Sequence, residues 1–256
     1  MSFKCVDLSL TFTSLGLIEA LDKVNISIIQ GEFVCIVGPS GCGKTTLLKL
    51  IAGLLEPSRG RVEFSEQQVI GRPRTAMVFQ NQGLFPWMTV LENVAFGLEM
   101  RGVSKNERLK KATDLINRVG LGDFSKAYPF QLSGGMRQRT AIMRAFLSDP
   151  QVLLMDEPFA ALDAQTRFLM QEELLDTWLS NPKTVIYVTH DIEEAIYLGD
   201  RILVMSGRPG TIQADIPITH PRPRSHSFRK SEEFDLIQQR VWGLIEAEVR
   251  QSLRLV

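Results

Sequence analysis

The pattern of apolar and polar positions predicts two kinds of strand in this chain. Apolar residues alternate with polar ones at Val6, Leu8, Leu10 and Phe12, and again from Val24 to Ile28, which is typical of half-buried strands. Continuous apolar runs predict strands buried on both faces. These runs are Phe33 to Val37, Val152 to Met155, Thr184 to Thr189 and Arg201 to Ser206, and Arg74 to Phe79 reads as a further strand.

Helical spacing dominates the middle of the chain. Thr89 and Glu92 form a capping-box pattern before Val90 to Met100, and Ser104 and Glu107 repeat it before a helix that can stop at Gly120. From about residue 84 to 148 the pattern is mostly helical. We therefore expect a helical subdomain inserted in an α/β core.

The composition changes after about residue 207. Pro209, Pro217, Pro221 and Pro223 predict irregular chain there. A last amphipathic helix follows, for which covering the core is the default role and a dimer or regulator contact the alternative. Its apolar side carries Phe234, Ile237, Val241, Leu244 or Ile245, and Val249.

Charge and cysteine content exclude several classes of protein. The 256 residues hold 29 basic and 29 acidic side chains, so the basic excess typical of nucleic-acid binding is absent from the total. The three cysteines have no disulfide or zinc spacing, which favours a reducing compartment. No apolar window reaches the ~18–20 residues needed to cross a bilayer. We expect a cytoplasmic chain, so in any transport role other polypeptides form the pore.

A phosphate-binding loop follows the strand that ends at Val37. The pattern G-x-x-x-x-G-K-[ST] is matched by Gly38-Pro39-Ser40-Gly41-Cys42-Gly43-Lys44-Thr45. Glycines let successive N–H groups point at phosphate oxygens, and the next helix adds its positive end. Lys44 would contact the β- and γ-phosphates and Thr45 would bind Mg²⁺. Cys42 inside the loop is interpreted as a small filler.

Acidic and polar residues follow two other predicted strands. Asp156 and Glu157 end an apolar run, where Asp156 would hold Mg²⁺ through water and Glu157 would activate the attacking water. Solvated acids at a strand end are the alternative. His190 directly follows the apolar run from Thr184 to Thr189, where it either contacts the γ-phosphate or has a structural role.

A second anion-binding helix start is predicted at Ser133. Ser133 is a good N-cap, and Gly134 and Gly135 leave the helix N–H groups uncovered. One nucleotide needs only one phosphate loop. A second such site suggests that two chains share each nucleotide, although Ser-Gly-Gly is also a common loop.

With these motifs in this order, the chain resembles the ATP-binding subunits of ABC transporters over about residues 3 to 208. The resemblance implies a P-loop NTPase core with an antiparallel β subdomain and an inserted helical subdomain. It implies a nucleotide-binding domain over residues 1–215, with the helical subdomain at about 84–148, and a C-terminal tail over 216–256. ATP and Mg²⁺ are the implied cofactors, and hydrolysis coupled to transport is the implied activity.

The resemblance also assigns roles to matching positions. Gly38 to Thr46, including Thr46 itself, becomes the phosphate loop, and Leu132 to Met136 the signature that contacts ATP on the opposite subunit. Gln80 matches a glutamine that touches Mg²⁺ and the attacking water. Phe12 matches an aromatic residue that stacks on adenine, and a place in the core is its alternative role. Glu157 matches the catalytic base, Asp163 belongs to the loop that crosses the dimer interface, and His190 matches the switch histidine.

Two positions depart from the family pattern. Met136 stands where many members have Gln, and Ala160 where many have Ser. Neither change removes Ser133 or the backbone donors, so we expect activity to survive.

A narrower resemblance concerns the importers of nitrate, sulfonates and taurine. It rests on segments such as Asp149-Pro150, Gly207-Arg208-Pro209-Gly210 and Pro221-Arg222-Pro223-Arg224. It implies a small solute, such as one of these or bicarbonate, and a place on the cytoplasmic face of the inner membrane. The implied partners are a second copy or a similar ATPase subunit, membrane permease subunits and, indirectly, an extracytoplasmic binding protein, with no nucleic acid.

Three alternatives stay open. They are a non-transport ATPase of the same fold, an exporter subunit and a non-hydrolysing nucleotide-binding scaffold. Lys44, Glu157 and His190 argue against the scaffold. The segment Leu84 to Met88 is equally compatible with a partner contact and with core packing.

Overall fold

The computed structural model describes residues 2–13, 16–65, 71–81 and 83–253, except the side chains of 249 and 251–253. These residues form two compact units, one made of residues 1–66 with 184–256 and the other of residues 67–183. The predicted boundary at residue 215 lies inside the first unit and stays a prediction.

The strands and helices alternate along much of the chain. The strands are β1 (Phe3–Phe12), β2 (Ile18–Ile28), β3 (Phe33–Val37), β4 (Arg59–Phe64), β5 (Thr75–Val78), β6 (Val152–Asp156), β7 (Thr184–Val188), β8 (Arg201–Met205) and β9 (Ile212–Pro217). The helices are α1 (Lys44–Ile51), α2 (Val90–Met100), α3 (Lys105–Arg118), α4 (Gly134–Leu147), α5 (Ala164–Ser180), α6 (Ile192–Leu198) and α7 (Glu232–Leu253).

An antiparallel sheet of order β2-β1-β4 forms one part of the first unit. Its register shifts between Cys5 and Leu8, where Asp7 has a φ of 47° and its N–H donates to Asn25 Oδ1 at 3.0 Å. The extra residue of this bulge changes which positions face the core. The prediction that Val6 lies on the same buried face as Leu8 and Leu10 was therefore wrong: Val6 is half-buried, and its neighbour Cys5 is buried instead.

Three parallel strands form the other part of the first unit. β3 pairs with β7 on one side and β8 on the other, and residues 33–37 and 184–188 are fully buried, as their apolar runs predict. β9 pairs antiparallel with β8. The prediction of irregular chain was wrong for Ile212–Pro217, because pairing with β8 makes this segment a strand and Pro217 stands at its end.

The last helix covers the first unit. α7 packs against α6 and β8, and it buries Phe234 and Val241. The predicted position Val249 lies outside the described side chains. Core cover is thus the role that these contacts support, while Leu236 and Trp242 are exposed on the same helix.

The second unit contains the parallel pair β5–β6 and the helices α2 to α5. The predicted capping box forms at the start of α2, where Thr89 and Glu92 bond reciprocally. Only half of it forms in α3: Ser104 Oγ accepts from Glu107 N at 3.4 Å. The Glu107 carboxylate instead pairs with Lys111 Nζ one turn further on, at 2.7 Å, so the second box was wrong.

Candidate functional site

The phosphate loop leads from β3 into α1 in the first unit. Gly41 and Gly43 have φ values of 76° and 105°, which lie in the left-handed region that favours glycine. A Cβ on Gly43 would also stand 2.7 Å from Leu21 Cδ2 and 2.9 Å from the Ala20 carbonyl oxygen. The sharp curl of the loop therefore requires glycine at this position.

Lys44 occupies the interior of this loop. Its side chain is buried, and Nζ donates to the carbonyl oxygens of Gly38 at 2.8 Å and Pro39 at 2.9 Å. A buried ammonium group beside the N-terminus of α1 makes the loop strongly attractive to anions. Thr45, the next residue, is exposed.

Cys42 behaves as the filler predicted for it. The thiol is buried, and burial raises its pKa, with the neighbouring Lys44 charge acting in the opposite direction. A thiol rather than a thiolate is therefore the form present near neutral pH. Cys5 and Cys35 are also buried, and all three cysteines are free.

His190 lies at the same sheet edge as the start of the phosphate loop. β3 and β7 are parallel with Ile36 opposite Val188, so Gly38 and His190 each follow two residues beyond that pair. The His190 side chain is exposed. Asp191 begins α6 by accepting from Glu194 N at 3.1 Å, which fixes the turn that carries the histidine.

Phe12 stands at the end of β1 with a 37% exposed side chain. Leu8 and Leu10, which share its predicted face, are buried. Its exposure distinguishes Phe12 from these core residues and leaves the ring free to stack on a planar ligand.

The second unit places Gln80 and the acidic pair at one edge of β5 and β6. These strands are parallel with Val78 opposite Met155, so Gln80 and Glu157 each follow two residues later. Asp156 is buried and Glu157 is half-buried. Glu157 has a φ of 45°, a conformation that costs a non-glycine residue of order 1–3 kcal/mol and is often found at functional sites.

Ser133 begins α4 as predicted. Its Oγ accepts from Met136 N at 3.3 Å, and Gly134 and Gly135 are the first helical residues. A Cβ on Gly135 would lie 3.4 Å from Thr166 Cγ2, so the helix start packs closely on the start of α5. Asp163 begins α5 by accepting from Thr166 N at 3.0 Å, and this hydrogen bond lowers the pKa of its carboxyl group.

The predicted site residues thus fall into two groups. The first unit holds Phe12, the phosphate loop from Gly38 to Thr46, and His190. The second unit holds Gln80, Ser133, Gly134, Gly135, Asp156, Glu157 and Asp163. Arg208 and Gly210 contact the phosphate loop, and the sequence analysis assigned them no role there. They were noted only as part of the Gly207 to Gly210 segment that resembles the importers.

Residues 2–13, 16–65, 71–81 and 83–253 contain no group of three or more histidine, cysteine or acidic side chains arranged to hold a metal ion. None of the helices in these ranges has both the length and the apolar character of a bilayer-spanning segment.

Comparison with known proteins agrees with the motifs. The family described as ABC transporter matches residues 21–160. A putative ATP-binding protein of Brucella abortus is 50% identical over 91% of this chain and 90% of its own length. The nitrate import ATP-binding protein of Synechocystis is 46% identical over 91% of each chain. The taurine import ATP-binding protein of Yersinia pestis is 50% identical over 75% of this chain and 76% of its own.

A solved structure supports the fold. It is a dimeric, post-hydrolysis ATP-binding cassette with bound ADP and phosphate, 34% identical, with a TM-score of 0.73 over 86% of this chain and all of the other. The predicted fold class is therefore confirmed. The chain belongs to the ABC transporter family, as an ATP-binding subunit that hydrolyses ATP.

Proposed function

We propose that this chain energises an importer for a small solute, in the class of nitrate, sulfonates or taurine. The observation that carries the proposal is the 46% identity to a nitrate import subunit over 91% of both chains, together with a phosphate loop whose lysine is already held inside it. The taurine import relative supports the same solute class. Nitrate is an oxyanion and taurine carries a sulfonate group, so both solutes present negatively charged oxygens.

The phosphate loop and Lys44 bind the β- and γ-phosphates in this proposal. Nζ exchanges its present bonds to two loop carbonyls for phosphate oxygens, which are charged and therefore stronger acceptors. Mg²⁺ prefers oxygen ligands and keeps several waters. The Thr45 hydroxyl, the Asp156 carboxylate and the Gln80 carbonyl would provide such oxygens, and the ion would neutralise phosphate charge when bound.

Glu157 is the proposed general base. A water molecule attacks the γ-phosphorus, the bond from that phosphorus to the bridging oxygen of ADP breaks, and Glu157 accepts the proton of the water. His190 hydrogen-bonds to the γ-phosphate and Gln80 orients the water. The left-handed backbone at Glu157 supports this role because strained residues persist where the surrounding structure fixes them for function.

A second copy of the chain completes each nucleotide site. The uncovered N–H groups of Gly134 and Gly135 at the start of α4 form an anion-binding helix terminus, and Ser133 adds a hydroxyl. Phe12 stacks on adenine, and the Asp163 loop crosses between the two copies. ATP favours the closed dimer through these shared contacts, and hydrolysis removes them. The dimeric cassette at 34% identity supports this arrangement.

The proposed membrane partners are permease subunits at the cytoplasmic face, with an extracytoplasmic binding protein beyond them. Exposed aromatic side chains on the second unit support a protein contact: Trp87 is 69% exposed, and Phe130, 78% exposed, stacks on Tyr128 with 5.9 Å between ring centroids. Leu84 to Met88 is compatible with both predicted roles, since Phe85 packs on Phe96 at 4.6 Å while Trp87 faces solvent.

The test of the activity uses Glu157→Gln. We expect this variant to bind ATP with Mg²⁺, to dimerise and to lose steady-state hydrolysis, because the amide cannot accept the proton. Lys44→Ala is the matched variant that should lose nucleotide binding itself. Hydrolysis by Glu157→Gln near the parent rate would refute the assignment of the base.

The solute class is tested with the complete transporter. A tag on this chain is used to isolate the membrane complex, which is reconstituted in vesicles with its binding protein. We expect ATP-dependent uptake of labelled nitrate or taurine that Glu157→Gln abolishes. Efflux would reject the import assignment, and uptake of neither solute would reject the solute class; both outcomes leave the ATPase assignment intact.

A further inference from the structure

The turn formed by residues 207–210, between β8 and β9, contacts the outer side of the phosphate loop. Arg208 Nη2 donates to the carbonyl oxygen of Gly41 at 3.2 Å. Gly210 lies against the next carbonyl, because a Cβ built on it would stand 2.1 Å from the Cys42 oxygen. Two successive carbonyls of the loop therefore face this turn, which we call the support turn.

The position of these carbonyls determines where the loop N–H groups point. In a trans peptide the C=O and the following N–H point in opposite directions. Holding the Gly41 oxygen at the turn points the Cys42 N–H into the loop, where it donates to the Pro39 carbonyl oxygen at 3.4 Å in this structure, and holding the Cys42 oxygen likewise directs the Gly43 N–H away from the turn. These are the donors on which an anion-binding loop depends.

The support turn is itself anchored to the first unit. Gly210 N donates to the Ala20 carbonyl at 3.0 Å, and Asp22 N donates to the Gly210 carbonyl at 3.1 Å. These bonds run to β2, beside the Leu21 side chain that packs on Gly43. The inner end of the turn is thus fixed by the same strand that borders the phosphate loop.

The C-terminal helix holds the outer end of the turn. Gly207 N donates to Glu248 Oε2 of α7 at 2.6 Å, and the other carboxylate oxygen accepts from Gln213 Nε2. A Cβ on Gly207 would lie 3.0 Å from Glu248 Oε2, so the approach leaves little space. A charged acceptor makes this a strong hydrogen bond.

We propose that Arg208 is a positioning residue for nucleotide binding, and that Glu248 acts through the support turn, so that α7 tunes the affinity of the phosphate loop. The proposal rests on the proposed function only for the statement that this loop binds ATP. At Gly210 a Cβ would stand 2.1 Å from the Cys42 oxygen, so this position of the turn has no space for a side chain.

The test measures nucleotide affinity apart from catalysis. Arg208→Ala and Glu248→Ala are compared with Glu246→Ala, a variant of the same helix whose carboxylate pairs only with the exposed Arg250 among its described bonds. We expect KM for ATP, and Kd for a non-hydrolysable analogue, to rise about 3- to 10-fold in the first two. We expect kcat of both variants to stay within about twofold of the parent value, and we expect Glu246→Ala to have the KM and Kd of the parent.

A double variant tests whether the two residues act through one turn. If both residues act through the support turn, Arg208→Ala with Glu248→Ala should raise Kd by less than the product of the two single changes, because coupled residues are non-additive. Arg208→Lys, which keeps the charge, should recover part of the affinity. The melting temperature without nucleotide identifies any variant that is simply unfolded.

The outcomes separate this inference from the proposed function. Unchanged KM and Kd in both alanine variants, in a protein whose Lys44→Ala variant has lost binding, would overturn the role of the support turn alone. Equal loss of affinity in Glu246→Ala would overturn the role of Glu248. Absence of ATP binding by the parent protein would overturn the proposed function and the inference together.

Discussion

Asn93 offers a sharp test of how the second unit is held together. This side chain of α2 is fully buried. Its Oδ1 accepts from Phe85 N at 2.9 Å, and its Nδ2 donates to the carbonyl oxygens of Phe85, Met88 and Thr89 at 3.1, 2.9 and 3.1 Å. One amide therefore organises the chain that precedes α2, including the exposed Trp87. We predict that Asn93→Ala unfolds this segment locally.

The stability lost in Asn93→Ala depends on which backbone groups would be left without a hydrogen bond. The Phe85 carbonyl also accepts from Met88 N, and the Thr89 carbonyl also accepts from the backbone N–H of residue 93. Phe85 N and the Met88 carbonyl are the two groups whose described bond would be lost. Each unsatisfied group costs about 1–3 kcal/mol when buried. Since Phe85 is half-buried and water reaches part of the segment, we expect a loss of roughly 3 kcal/mol.

Thermal unfolding and hydrogen exchange measure this loss. About 3 kcal/mol corresponds to roughly 6–12 °C in melting temperature for a chain of this size. The Phe85 amide should exchange with solvent much faster than in the parent. Met100→Ala, an exposed change in the same helix, is the control and should shift the melting temperature little.

Asn93→Asp separates hydrogen bonding from volume. The acid has the same shape and keeps an acceptor for Phe85 N, but it replaces the Nδ2 donor by an oxygen that faces three carbonyls. We expect it to be at least as unstable as Asn93→Ala near neutral pH. A melting temperature equal to that of the parent would refute the reasoning.

Three further predictions concern single groups. Because burial raises the pKa of the Cys42 thiol, its alkylation should be slow near pH 7, accelerate at alkaline pH and slow again with bound nucleotide, as mass spectrometry of the peptide would show. The hydrogen bond from the Thr89 N–H lowers the pKa of the Glu92 carboxyl group. The stability that this carboxylate contributes is therefore present above the unfolded pKa and is lost as pH falls through the folded pKa. Glu92→Gln should lose less stability than the parent between about pH 5 and pH 3 in urea titrations. Glu157→Gly should be about 0.5–1 kcal/mol more stable than Glu157→Ala, with hydrolysis lost in both, because only glycine adopts a φ of 45° without strain; equal stability would show that this backbone is unstrained.

Local sequence patterns predicted the strands whose burial is uniform. The run Phe33 to Val37 and the strand before Asp156 were predicted because both faces of a central strand are apolar. The β9 strand was missed because its residues are mixed and its pairing with β8 is tertiary. The bulge at Asp7 was missed for a similar reason: its hydrogen bonds run to Asn25, on the neighbouring strand.

The candidate site shows the same division between local and distant causes. Lys44 was identified from the phosphate-loop pattern, and Glu157 from its place directly after an apolar run and Asp156. Their conformations were not predictable in this way. The left-handed backbone at Glu157 is visible only in the structure, and the bonds of Lys44 Nζ to two loop carbonyls depend on how the loop curls.

A motif specifies the atoms that meet a ligand, but distant residues fix the directions in which those atoms point. The phosphate loop is eight residues of sequence pattern, and glycines that permit its curl permit other conformations as well. Its Gly41 and Cys42 carbonyls lie against the support turn, well over a hundred residues later in the chain. Since a flexible loop must lose entropy to bind, contacts that fix its peptide planes beforehand reduce the cost of binding. The C-terminal helix bonds to that turn through Glu248, and the turn contacts the Gly41 and Cys42 carbonyls, so two successive contacts in the first unit connect this helix to the loop that binds nucleotide.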